Sequence, residues 1–332
     1  MTAEQIVVAA GSRPLIPTIP GLDTVPFHTS DTIMRVDEVP ASLVVIGGGS
    51  VAAEMGHIFG AFGAFGAFGA DVTIVERGPR LLMNEDEQVS GRFTELAEER
   101  WHVLLRTEVV AVSASQSGVS VTVACGGEVR VLEASALLVA TGRRPNTDLL
   151  DVAAGGLAVD DHGHLVTDDA FRASSPGVWA FGDAANHFQL KHMANAEERV
   201  VRHNLTHPED PHRLAHKLVP HAVFSDPHVA SVGMTASEVR QLAVDHVTAV
   251  HDYGDTAYGW ALEDTTGFVK LIGDPRTRTL LGAHIIGPQA STLLQPLLQA
   301  MMLGETVEQL AHDVLYIHPA LTEVLEQALL GL

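Results

Sequence analysis

The first apolar run, Ile6 to Ala10, has no polar alternation and closes in Gly11, Ser12, Arg13 and Pro14, the pattern of a strand covered on both faces. Parallel sheets are assembled from successive crossover units, so a strand this early predicts a sheet whose other members come before it. From Ser42 the pattern gives a strand over Leu43 to Ile46, a glycine turn and a helix beginning near Ser50. A second strand over Val72 to Val75 and an amphipathic helix from about Glu85 to Trp101 complete a βαβ unit. Residues 102–132 then alternate in short stretches, VVAVSAS and VSVTVAC, separated by Ser-Gly and Gly-Gly, which predicts an antiparallel meander. An apolar strand over Ala136 to Ala140 ends in Thr141-Gly142, and another over Gly177 to Phe181 ends in Gly182-Asp183 before a helix from about Asn195 to Asn204. Beyond PEDPHRLAHKLVPH the pattern resets to strands around Val229 to Val232, Phe268 to Ile272 and Gly282 to Ile286. With helices near Ser291 to Leu303 and Pro319 to Leu329, these predict a final α+β domain.

Composition narrows the function classes. A chain of 332 residues exceeds what one core usually organises, so two or three domains are expected. No apolar run reaches the roughly 20 residues of a membrane span, and MTAEQIVVAAGSRP lacks a basic start, apolar stretch and cleavage site, so no membrane partner and a cytoplasmic location are expected. The formal net charge of -21, with only Lys191, Lys217 and Lys270 as lysines, argues against a nucleic-acid partner. Cys125 is the single cysteine, which excludes an intramolecular disulfide or a cysteine-based metal site within this sequence; VTVACGGEV reads as an ordinary strand entering a turn.

One segment breaks the pattern. Phe59 to Ala70 is the triplet Phe-Gly-Ala four times over, with a glycine at every third position where helix propensity falls by about 1 kcal/mol each. Six extra helical residues would add about 9 Å and about 600° of rotation, not a whole number of turns, so two triplets are expected to loop out.

The strongest motif is VVIGGGSVAAE, Val44 to Glu54. Gly47 permits a tight turn, Gly49 lets a pyrophosphate approach the backbone, and Ala52 keeps the helix close to the sheet, with the helix amino terminus aimed at the anion. Glu76 ends the second strand 27 residues after Gly49, or 21 without the six suspected extras, close to the roughly 20 expected of an acid that binds the adenosine ribose. Glu76 suits the ribose hydroxyls of NAD, whereas Arg77 and Arg80 suit the additional phosphate of NADP, so the residues leave the coenzyme open.

The succession AAGSRP, GGGSVAAE, VATGRRPN, VWAFGDAA and IHPALTEVLE resembles the flavoprotein disulfide reductases, the family of glutathione reductase and lipoamide dehydrogenase, over essentially the whole chain. Longer stretches such as TSDTIMR and LKHMANAEERVVRHNL narrow the likeness to a branch acting on a small-molecule disulfide. The resemblance implies an α/β fold with a truncated FAD-binding domain (1–33 and 149–215), an inserted Rossmann-like NAD(P)-binding domain (34–148) and a C-terminal α+β dimerisation domain (216–332). It implies NADPH, or NADH, and FAD as cofactors and a homodimer as the assembly. By the same resemblance, Gly47, Gly49, Ala52, Glu54, Glu76, Arg77 and Gly142 serve the pyridine nucleotide, while Gly11, Gly182, Asp183, His192 and Ala194 serve the flavin. His318 and Glu323 match the catalytic pair, in which a carboxylate fixes the tautomer of a histidine that moves a proton to and from a thiolate.

Two family features are not found in these residues, the first GxGxxG for the FAD pyrophosphate and the CxxxxC redox pair. The sequence is therefore expected to represent a reductase lacking its N-terminal segment, and Glu54, which the family pairs with a lysine there, is expected to lack its partner. A lipoamide dehydrogenase-like oxidoreductase and a non-catalytic NAD(P)-binding dimerisation remnant are the alternatives.

Overall fold

The computed structural model describes residues 3–61, 69–214 and 218–332. The centre of the Phe-Gly-Ala tract, 62–68, lies outside them, and with it the expectation that two triplets loop out. The chain divides into two compact units, Met1–Leu15 with Gly142–Val219, and Ile16–Thr141 with Pro220–Leu332.

In the first unit, β1 (Ile6–Val8) pairs in parallel with β11 (Val178–Ala180), and β2 (Ser12–Pro14) pairs antiparallel with β10 (Arg143–Pro145). A sixteen-residue helix, α3 (Lys191–Thr206), turns Val201 toward Phe171 and Trp179, the buried centre of this unit. The helix is longer than the apolar periodicity indicated, because Glu197 and Asn204 are buried polar residues bonded to backbone rather than marks of a solvent face. The expectation of a fully covered first strand is corrected. Ile6 and Val7 are 49% and 42% exposed, since β1 has β11 as its sole ladder neighbour among the described residues.

The second unit holds two larger sheets. Four parallel strands run in the order β5 (His102–Leu104), β4 (Asp71–Val75), β3 (Ser42–Ile46), β9 (Ala136–Val139). Their apolar residues do not alternate with polar ones because both faces are covered. Leu43 and Val45 face the core shared with α1 (Ser50–Ala61) and α2 (Glu87–Glu98), while Val44 and Ile46 face the antiparallel meander β6 (Glu108–Ser115), β7 (Gly118–Cys125), β8 (Glu128–Ala134). A five-stranded antiparallel sheet follows, ordered β12 (His221–Val223), β13 (Val229–Gly233), β16 (Leu280–Ile286), β15 (Phe268–Gly273), β14 (Val247–Asp252). On it lie α6 (Ala290–Leu303) and α7 (Glu323–Leu330).

Three elements escape the apolar pattern. α4 (Ala236–Gln241) and α5 (Ala257–Ala261) are too short for a helical period to show; they are set by Thr235 and Thr256 capping their first turns. β14 is an edge strand with mixed burial, so its sequence carries little alternation. The last helix begins at Glu323 rather than Pro319, since the segment from His318 to Thr322 is folded by the Glu323 carboxylate accepting from the Ala320 N–H at 3.1 Å. Among the described residues no helix is long and apolar enough to cross a membrane.

Candidate functional site

The glycine turn between β3 and α1 is shaped by close backbone approach. Gly47 has φ +112°, and a Cβ there would lie 2.4 Å from the Ala140 carbonyl oxygen, so only glycine allows β9 to run beside the turn. Its N–H donates to the Val75 carbonyl at 2.9 Å, which anchors the turn to β4. At Gly48 a Cβ would lie 2.8 Å from the Glu76 side chain. Gly49 is different. It is exposed, and no described atom lies within 4 Å of where its Cβ would stand, so the space before the first turn of α1 is open. Ala52 is fully buried, and α1 sits close to the sheet. The turn thus has the room and the backbone donors that an anion requires.

Glu76 stands directly behind the turn, half buried, with Oε1 accepting from the Gly78 N–H at 2.5 Å. Arg77 beside it is exposed. Arg80 is partly committed elsewhere, donating from Nε to Ser90 at 3.2 Å. Glu54 is hydrogen-bonded, although not to a lysine. Its Oε1 accepts from the Phe224 N–H at 3.0 Å, because α1 lies along β12 and offers the carboxylate to the backbone that follows it.

In the first unit, Asp183 follows β11 at a short 3-10 turn, and its Oδ2 accepts from the Ser12 hydroxyl at 2.6 Å. Ser12 in turn accepts from Arg143 Nε at 2.8 Å, a partner relationship absent from any local motif because β2 and β10 lie far apart in sequence. Gly182 donates its N–H to buried Glu197 at 2.7 Å and packs against Ala194. His192 is exposed in the first turn of α3, Ala194 half buried, and the capping residue Leu190 gives no side-chain hydrogen bond. Gly11 and Gly142 both have positive φ, with open space where a side chain would be. Arg13 forms a bidentate pair with Asp148 at 2.8 and 2.7 Å, which ties β2 to the turn after β10.

His318 Nδ1 lies 2.8 Å from Glu323 Oε1, while the other carboxylate oxygen holds the Ala320 N–H. The His318 side chain is 69% exposed and that of Glu323 is 18% exposed. The hydrogen bond from His318 holds the Glu323 carboxyl below its ordinary range, so the ring is oriented with Nδ1 inward and its other nitrogen free to meet a reacting group. Around the pair Leu315 and Ile317 are 96% and 74% exposed, a concentration of apolar surface rare on an isolated monomer.

The pyridine nucleotide-disulphide oxidoreductase family signature matches residues 1–198, and its dimerisation domain matches residues 219–329. The chain belongs to the pyridine nucleotide-disulphide oxidoreductases. Within the family it is 46% identical over 335 aligned residues to mycothione reductase of Mycobacterium tuberculosis, covering 100% of this chain and 71% of that protein. It is 31% identical to dihydrolipoyl dehydrogenase of Bacillus subtilis, covering 98% of this chain and 68% of that one. Among solved structures, the HOCl-induced flavoprotein disulfide reductase RclA of Escherichia coli superposes with a TM-score of 0.87 at 26% identity, over 98% of this chain and 73% of its own.

The sequence of this disulphide oxidoreductase gave no local signal for the polar cluster that joins α2 to the five-stranded sheet. Glu85 accepts from His221 at 2.7 Å and from Ser231 at 2.6 Å. Burial pushes the Glu85 carboxyl up, but the hydrogen bonds and charge of His221, with Ser231, reverse this and hold it below its ordinary 4.5. Burial likewise lowers His221, and the Glu85 bond and charge outweigh it, leaving the imidazole above its ordinary 6.5. A raised histidine contributes stability that is complete below 6.5 and lost as pH rises through the folded value; the lowered Glu85 contributes above 4.5 and is lost as pH falls. His284 faces the same cluster, and burial holds its pKa down, so its share runs opposite to that of His221. His284 is present in both the parent and His221→Gln, so its opposing share enters the comparison only through its coupling to Glu85. The variant is expected to be less stable at a pH below 6.5, where the His221 contribution is complete, with the gap narrowing at an alkaline pH beyond the raised folded value. Denaturant titrations at both pH values check this, and a gap that widens with pH would refute it.

Proposed function

We propose that this chain carries the coenzyme-binding and substrate-facing parts of an NADPH- and FAD-dependent disulfide reductase whose substrate is mycothione, the disulfide of mycothiol. The observation that carries the reading is the His318–Glu323 pair, a fixed imidazole with its outer nitrogen open to a partner. The likeness to mycothione reductase over the full chain supports the choice of substrate.

In this reading the turn at Gly47 and Gly49 and the start of α1 hold the pyrophosphate of the nicotinamide coenzyme, with Ala52 keeping the helix against the sheet. Glu76 and Arg77 meet the adenosine ribose, Gly142 gives the nicotinamide side room, and Glu54 braces α1 from behind. Oδ2 of Asp183 is occupied by Ser12, and Oδ1, without a hydrogen bond among the described residues, would be the atom to hold the flavin's ribityl chain. Gly11 leaves open space for the flavin, Gly182 supplies the left-handed backbone of the turn that carries Asp183, and the α3 amino terminus at His192 to Ala194 would favour negative charge on the flavin ring. The residues fit that end of the cofactor. When bound, FAD supplies two-electron transfer between nicotinamide and disulfide. His318 then holds or releases a proton at Nε2 for a departing thiolate, while Glu323 keeps Nδ1 protonated.

The domains follow as 1–33 and 149–215 for the flavin, 34–148 for the nucleotide and 216–332 for dimerisation, in a cytoplasmic homodimer whose contact covers Leu315 and Ile317. Two observations favour narrower readings. Glu76, placed for ribose hydroxyls, favours NADH and a lipoamide dehydrogenase-like activity, and the single cysteine favours a non-catalytic dimerisation module.

Cys125 ends β7 with its Sγ directed to the Leu105 carbonyl at 4.0 Å, and no second thiol exists in this sequence to form a redox disulfide with it. Purified protein of this sequence is expected to bind reduced coenzyme in a calorimetric titration with NADPH and NADH, yet to sustain no coenzyme-driven disulfide reduction. Absence of affinity for either coenzyme sinks the nucleotide assignment. Steady turnover sinks the requirement for a second cysteine.

A further inference from the structure

We propose that the carboxyl end of α3 and the loop after it form a binding site for one divalent transition cation of the zinc class, held by His203, Asp210 and His212. One ligand atom from each of these residues lies within 4.8 Å of the other two. An ion with bonds of about 2.0–2.2 Å to imidazole nitrogen and carboxylate oxygen spans such a triangle from its centre. The donor set of two imidazoles and one carboxylate selects zinc, cobalt, nickel or copper(II) over magnesium and calcium, which take oxygen shells.

The site is held from below. His203 sits in the last turn of α3, and the next residue, Asn204, is 1% exposed. Asn204 Oδ1 accepts from the His212 N–H at 2.7 Å, and its Nδ2 donates to the His212 carbonyl at 3.0 Å and to the Ala170 carbonyl at 3.2 Å. The backbone carrying His212 is thus clamped to the helix next to His203 by a buried side chain. Asp210 is brought back by its N–H donating to the His207 carbonyl at 3.1 Å, and its own carbonyl lies 2.9 Å from His203 Nε2. The backbone carrying the three ligands is therefore ordered, and binding needs side-chain rotation together with loss of the contact between His203 Nε2 and the Asp210 carbonyl wherever Nε2 is the ligand nitrogen.

The rings of His203 and His212 stack with centroids 3.5 Å apart and planes at 11°. Parallel rings do not aim their lone pairs at one point, so one ring must turn; His212 is the more exposed of the two. His207, stacked on His203 with centroids 4.6 Å apart, has Nδ1 against the Thr206 hydroxyl at 2.9 Å and is not among the three ligands. Two further features favour a cation. The site lies at the carboxyl end of a sixteen-residue helix, where the helix dipole is negative, and the chain has a formal net charge of -21.

The test is cobalt(II) and zinc(II) titration of the full chain, followed by visible d–d absorption for cobalt and by calorimetry for zinc. One equivalent is expected to bind to the parent with histidine-coordinated cobalt bands, undisturbed by millimolar magnesium. The double variant H203A/H212A is expected to weaken binding by about a hundredfold or more, and D210N by about tenfold. His102→Ala, an exposed histidine in the other unit, is expected to leave binding unchanged, and circular dichroism of each variant reports the fold. Equal affinity in the parent and H203A/H212A, or only weak binding distributed over the 18 histidines, overturns the proposal.

Discussion

Replacing Lys270 by methionine is expected to destabilise the protein by about 3–5 kcal/mol. Lys270 on β15 is 4% exposed, and its ammonium group lies 2.6 Å from Asp86, which is fully buried. Asp86 also caps α2 through the Gln88 N–H at 3.0 Å and receives the Ala236 N–H at 3.0 Å on its other oxygen. Burial pushes its carboxyl up, but the Lys270 bond and the backbone N–H of Ala236 more than offset this and keep it ionised, below its ordinary 3.8. Removing only the lysine leaves that charge buried with no ammonium partner, held by the Gln88 and Ala236 N–H groups alone among its hydrogen bonds. A second variant, Lys270→Met with Asp86→Asn, keeps the capping oxygen without the charge and is expected to recover part of the loss. Chemical denaturation of the three proteins decides the matter. If Lys270→Met shifts stability by less than about 1 kcal/mol, the pair is not an isolated buried charge pair.

Gly47→Ala and Gly49→Ala, two residues apart in one turn, are expected to fail in different ways. At Gly47 a methyl group would meet the Ala140 carbonyl at 2.4 Å on a backbone with φ +112°. Neither conflict can be relieved by a side-chain rotation, and together they are expected to cost about 3 kcal/mol or more. At Gly49 the methyl group meets nothing described within 4 Å, and φ is not in the left-handed range, so stability is expected to change by less than about 0.5 kcal/mol. What it removes is the open space over the helix terminus, and affinity for reduced coenzyme is expected to fall by about tenfold or more, or about 1.4 kcal/mol. Denaturation and calorimetric coenzyme titration of both variants separate the two. Unaltered affinity in Gly49→Ala would place the coenzyme elsewhere.

Much of the fold was legible in the sequence because continuous apolar strands and alternating ones differ in period. Leu43 to Ile46 and the stretches VVAVSAS and VSVTVAC fall in the parallel sheet and the meander as their patterns indicate. The turn at Gly47 was legible because its glycines are dictated by local backbone geometry. His318 and Glu323 were brought out by the family resemblance, since their spacing alone is unremarkable among 18 histidines; the two side chains bond directly. The Glu54 contact was not legible for the opposite reason. Its partner is a backbone N–H 170 positions away, and no side-chain type in the sequence marks it.

By itself, then, the sequence determined the strand and helix types, the glycine turn, and the absence of a second thiol, all properties of neighbouring residues or of composition. Tertiary structure alone decided that Lys270 is buried against Asp86, that Ser12 joins Asp183 to Arg143, and that His203 and His212 stack over Asn204. Each of those contacts is set by how strands and helices pack, and the energy that fixes them is apolar burial elsewhere in the unit, which carries no label at the polar residues it brings together.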